Sequence, residues 1–150
     1  MTFFSCLKCY SSSGDSMKKY YIFAINTEYY EIYKRNKHVL YNTLKNLYEL
    51  DLDSLNYGLS IYNQLCVPIN NKILESYYSD YKYIDNHFMI DNSIIEINRS
   101  CIILLTDDNN LRSLKSLHYY NFPLFVCDFK NDDYFFLTFE CFKNVSNIIK

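Results

Sequence analysis

Glycine is almost missing from this chain. Of 150 residues only Gly14 and Gly58 are glycine. One lies in a Ser-rich leader and the other inside a helical stretch, so no phosphate-cradling GxGxxG loop can be written. Nucleotide cofactors are therefore not expected, nor is any other cofactor or small-molecule ligand. Tryptophan is absent and proline occurs twice. An excess of one charge is lacking too, since the formal net charge is −2 and no block of Lys and Arg stands out. Without a general attraction to phosphate, direct nucleic-acid binding is not expected. The longest apolar run, around Cys101 to Leu105, falls far short of the roughly 20 residues of a membrane helix. A soluble protein with no membrane partner follows as the expectation.

Aromatic residues fill the space these absences leave. The chain has 17 Tyr and 11 Phe and is 49% hydrophobic, far too apolar for a disordered segment. A domain of this length buries roughly 70% of its unfolded surface, so one real core can form. Part of the richness in Asn, Ile, Lys, Tyr and Phe matches AT-rich codons, so the position of a tyrosine says more than the number.

Cysteines stand at 6, 9, 66, 101, 127 and 141. Four of them lie inside or beside apolar segments at scattered spacing, which reads as free buried thiols in a reducing, cytoplasmic setting. Cys6 and Cys9 form a CxxC pair, but no second ligand pair stands at zinc spacing and no strand precedes it as in a redox motif. Residues 1–16, MTFFSCLKCYSSSGDS, lack the basic start and apolar stretch of a secretory signal. They read as a non-native or disordered extension before a second methionine at Met17, with Gly14-Asp15 encodable by a ribosome-binding sequence. Mass measurement on native protein tests this. Residues 17–150 read as one domain.

That domain reads as α/β (α+β), a mixed sheet of about five strands with helices packed on it. Lys19 to Asn26, KYYIFAIN, has strand chemistry, and Thr27 is placed to cap a helix from Glu28, interrupted near Asn36 and continuing through Tyr48. Asp51 to Leu65 repeats the helical period, with Asp53 or Ser54 as cap and Pro68 as terminator. Ile69 to Asp80 reads as a further helix. Strand patterns follow in YKYI, HFMID, SIIEIN and CIILL, with Asp91-Asn92 as a turn. Thr106 to Asp108 cap a helix through His118, and PLFVCDF and DYFFLTF make a last hairpin around Lys130 to Asp133.

Catalytic readings are thin. Cys127 with His118 is the only nucleophile and base pair that suggests itself, and Cys127 alternates with Phe125 and Phe129 as a core residue does. Asp107-Asp108 and Asp132-Asp133 sit where caps and turns explain them. His38, His87 and His118 are too scattered for a metal set. The chain is expected not to be an enzyme, with a small cytosolic enzyme or another regulatory interaction module as the alternatives.

Tyr29 and Tyr33 stand one helical turn apart among Glu28, Glu31, Lys34 and Arg35, and Tyr62 lies on a later helix. Their rings admit two readings, packing on the sheet or forming a partner surface, since rigid aromatics dominate interface hot spots.

In order and spacing, KYYIFAINTEYYEIY, YNQLCVPI, HFMIDNSIIEI and FPLFVCDFKNDDYFFLT resemble the sporulation inhibitor of replication family, SirA, of endospore-forming Firmicutes. The resemblance covers nearly all of residues 17 to 138. It implies a small α/β domain that binds domain I of the replication initiator DnaA and blocks initiation during sporulation. It also implies Tyr29, Tyr33 and Tyr62 as partner contacts, and it places the family's polar contact, one turn before Tyr62, at Leu59. The tryptophan associated with the family after Tyr134 is absent.

Overall fold

In the computed structural model, residues 17–85, 87–90, 92–107 and 112–137 are described. From Tyr20 to Ile25 every residue is buried. That continuous apolar run is what a strand needs when helices cover both of its faces. Strand β1 (Lys18–Ile25) is this central strand. Helices α1 (Thr27–Tyr33), α2 (Lys37–Tyr48) and α3 (Leu55–Leu65) follow, with a 3₁₀ turn at Leu52–Ser54 before α3. After β2 (Cys66–Val67) come α4 (Asn71–Tyr77), β3 (Lys82–Ile84), β4 (His87–Ile90), β5 (Ser93–Ile97) and β6 (Ile102–Thr106). A 3₁₀ helix, Arg112–Tyr119, leads to β7 (Leu124–Asp128) and β8 (Asp133–Phe136).

The strands form a single sheet in the order β3-β4-β5-β6-β1-β7-β8, with β2 paired to the end of β1. The expected class holds, and two details are corrected. The described sheet has eight strands where about five were expected. Every pairing among the described residues is antiparallel, so the sheet is not mixed.

Alternation along β1 feeds two cores. Tyr21, Phe23 and Ile25 point to the side covered by α1, α2 and α3, where they meet Leu40, Tyr41, Leu44, Leu47, Tyr62 and Leu65. Tyr20, Ile22 and Ala24 point to the other side, under Leu74 and Tyr78 of the α4 region and Leu114 and Leu117 of the 3₁₀ helix. Each fully buried leucine contributes roughly 1.5–3 kcal/mol, so the stripe Leu40, Leu44, Leu47 holds α2 in place.

Aromatic stacking closes the first core. Tyr41 stacks on Tyr134 at 4.6 Å between ring centroids, and Tyr48 stacks on Phe129 at 4.6 Å. Much of the tyrosine content is thus structural.

Local chemistry adjusts several expected boundaries. Asn26, not Thr27, caps α1, its side chain accepting from the Glu28 N–H. Ser54 holds the N-cap position of α3 without a capping hydrogen bond from its side chain. Asn70 caps α4, accepting from the N–H groups of Lys72 and Ile73, so that helix starts later than the expected Ile69. The expected helix through His118 is a 3₁₀ helix beginning at Arg112, and residues 108–111 lie outside the described residues. Asp91 of the expected turn, residues 1–16, and the end of the chain from 138 also lie outside them.

Candidate functional site

Helix α1 is seven residues long and none of them is buried. It follows directly from the central strand, and the Asn26 N–H donates to the Leu65 carbonyl, which ties its start to the end of α3. Tyr29 and Tyr33 are half-buried and pack against the first core, with ring centroids 6.4 Å apart. The Gln64 side chain donates to the Tyr29 hydroxyl at 3.2 Å, a second tie between α1 and α3. Tyr30 turns toward β8 and meets Phe136 edge to face at 5.0 Å.

The outer face of α1 carries Glu28, Glu31 and Ile32, and Arg35 follows its C-terminal end, all exposed. Ile32 is 56% exposed, an apolar side chain set among charges. Glu31 and Lys34 pair at 2.6 Å, and the Lys34 ammonium also lies 5.8 Å from the Tyr30 ring centroid. The local charges therefore include a pair already matched within the helix.

The four residues expected to contact a partner do not converge. Tyr29 and Tyr33 share one side of α1 and are half-buried there. Tyr62 is 4% exposed, and its hydroxyl donates to the Ser100 carbonyl at 2.7 Å. Burial pushes its phenol well above the usual tyrosine range. In this conformation Tyr62 is a core residue, because the α3 stripe of Gly58, Tyr62 and Leu65 faces the sheet. Leu59 is half-buried and stands five residues before Gln64, which turns it about 140° around α3 from the flank that meets α1.

On α1 and α3, two exposed apolar residues escaped the sequence reading. Ile32 interrupts the charges of α1, and Tyr57 is 66% exposed on α3. Tyr57 lies seven residues before Gln64 and so shares its flank. The signal was available in the helical phase: Tyr62 and Gly58 mark the buried stripe, and Tyr57 falls outside it.

At the base of α1 an open cleft of about 410 Å³ is bordered by Thr27, Tyr30, His118, Tyr120, Phe122 and Phe136, among others. His118 is exposed there, on a segment that packs on the second core. Cys127 is fully buried in the first core, on the opposite side of the sheet, and burial holds its thiol far above the ordinary value. The structure does not bring this pair together. Asp107 is exposed after β6, and Asp132 and Asp133 belong to the β7–β8 turn region, with Asp132 bonded to Tyr41 and Lys45. Among the described residues, no cluster of three or more His, Cys, Asp or Glu is placed to hold a metal, and no helix is long and apolar enough to cross a membrane. No protein-family model and no curated protein matches this chain.

Proposed function

We propose that the chain is a cytoplasmic, non-enzymatic inhibitor of replication initiation that binds domain I of the initiator DnaA, as its resemblance to the SirA family implies. One observation carries this reading: α1 is a short helix with no buried residue that follows directly from the central strand and offers exposed Ile32 near the half-buried Tyr29 and Tyr33. Such aromatic and aliphatic groups lose little rotamer freedom when a partner covers them. Tyr57, on the flank of α3 nearer α1, extends the same surface. Tyr62 is buried on the stripe of α3 that faces the sheet, and Leu59 lies on the far flank of α3.

Inhibition then follows from occupancy. A partner surface covered by α1 is unavailable for the self-assembly or factor binding that initiation requires, and no bond is made or broken. The test is calorimetric titration of the full chain into domain I of the host's own initiator. Saturable one-to-one binding, weakened by Tyr33→Ala, is the expected result. A folded chain that does not bind domain I would remove this reading and leave a module with a different partner.

A further inference from the structure

Leu137, the last described residue, borders the open cleft at the base of α1, and its N–H donates to the Leu124 carbonyl at 2.8 Å. The chain is thus held at the rim. Tyr30, Phe122 and Pro123 border the cleft as half-buried residues, and no described residue around it is Asp, Glu, Lys or Arg. An apolar occupant suits such a lining better than a charged one. The volume of about 410 Å³ is more than twice the roughly 150 Å³ that admits a benzene ring.

Beyond Leu137 the sequence reads TFECFKNVSNIIK, residues 138–150. At about 100° per residue, Phe139, Cys141, Phe142, Val145, Ile148 and Ile149 fall on one half of a helical circumference. Glu140, Lys143, Asn144, Asn147 and Lys150 fall on the other half. Thr138 stands where an N-cap belongs, and Glu140 in the first turn and Lys150 in the last suit the helix dipole. An apolar helix face needs a surface to cover it. Phe139 is two residues from Leu137, at most about 7 Å of chain, so the cleft is the apolar surface within its reach. We propose that residues 139–150 form an amphipathic helix that docks Phe139 and Phe142 into the cleft between α1 and the 3₁₀ helix and braces α1 from its base.

Attachment decides between occupants. Tethered at the rim, the segment meets the cleft at an effective concentration of about millimolar, which a second copy or a separate partner must match to displace it. The inference is independent of domain I binding, since it uses only contacts within the chain.

The test is hydrogen exchange read by mass spectrometry on the full chain. A free peptide of this length holds little helix, so amides of residues 141–150 should exchange about tenfold or more slowly in the chain than in a synthetic peptide of the same sequence. Phe142→Asp should erase that protection while the amides of β1 keep theirs, and Phe122→Asp should do the same from the cleft side. A cross-link then locates the segment. In a chain carrying Cys6→Ser, Cys9→Ser and Asn121→Cys at the cleft, a short bismaleimide should join residue 121 to Cys141 within one molecule. Met89→Cys in place of Asn121→Cys should give no such product, because β4 lies at the other end of the sheet from β7 and β8. Exchange as fast as in the free peptide, protection that survives both substitutions, or failure of the cross-link at residue 121 would overturn the proposal. A cross-link joining two chains would overturn it in favour of a second copy.

Discussion

The Tyr62 hydroxyl donates a 2.7 Å hydrogen bond to the Ser100 carbonyl, joining α3 to the turn before β6 inside the first core. This bond explains why a tyrosine, and not a leucine, occupies the buried stripe of α3. Tyr62→Phe keeps the ring packing but leaves that carbonyl without this donor, so the expected loss is about 1–3 kcal/mol of folding stability. Tyr62→Ala adds a cavity and should cost about 3 kcal/mol or more. Urea denaturation of the two variants measures both. Full stability of Tyr62→Phe combined with lost partner binding would put Tyr62 at an interface instead.

Tyr33→Ala should separate binding from folding in the opposite sense. Its ring is half-buried on a helix with no buried residue, so truncation should leave the fold intact while weakening domain I binding by about 2 kcal/mol or more, roughly thirtyfold. Tyr57→Ala should weaken it in the same direction. Leu59→Ala, on the other flank of α3, should leave affinity within about threefold. Calorimetry on the three variants tests the surface as drawn. A large effect from Leu59 with none from Tyr33 would move the contact to the far flank of α3.

How far the sequence carried this depends on the physics of each element. The β1 run and the Leu40, Leu44, Leu47 stripe announced themselves, because a buried strand and an amphipathic helix have distinct periods. The two-residue strand β2 had no such signal. It exists only because Cys66 and Val67 happen to lie along the free end of β1. The hairpin expected of PLFVCDF and DYFFLTF is found as β7 and β8, but the non-local pairings were equally hidden, since registers such as Tyr21 with Cys127 join residues far apart in the chain. For the candidate surface, helical phase puts Tyr62 on the apolar stripe of α3 while the family resemblance implies it as a contact; the structure buries it, and Tyr57, five residues earlier and on another side of the helix, is the ring that reaches solvent.

Buried cysteines give a chemical test of the first core. Cys66, Cys101 and Cys127 are buried cysteines, and burial raises the thiols of Cys66 and Cys127 well above the ordinary value. The thiolate is the reactive form, so both inaccessibility and protonation protect them. In the native chain at about pH 8, iodoacetamide should leave these three unmodified, and all three should react in denaturant. Peptide mass mapping reads each site separately. Rapid native labelling of Cys127 would show that the sheet opens there, and would restore interest in it as a nucleophile.

Asp132 should give the fold a pH dependence at its acidic end. It sits at φ 53°, a left-handed conformation that Asp and Asn tolerate better than most residues. Its carboxylate accepts from the Lys45 ammonium at 2.6 Å and the Tyr41 hydroxyl at 2.7 Å, and these bonds hold it below its ordinary value of 3.8. A carboxyl depressed in the folded state binds its proton more readily in the unfolded chain. Its contribution is therefore complete above the unfolded value and is lost as pH falls through the folded one. Asp132→Asn keeps the backbone geometry and an acceptor for Tyr41 but removes the charge. Thermal melts should show the wild type ahead of this variant near neutral pH, with the two converging below about pH 4. Because the pair is exposed, added salt should also narrow the gap at neutral pH. A difference that stayed constant from neutral to acid pH would mean that shape or hydrogen bonding at residue 132, not its charge, holds β7 and β8 against α2.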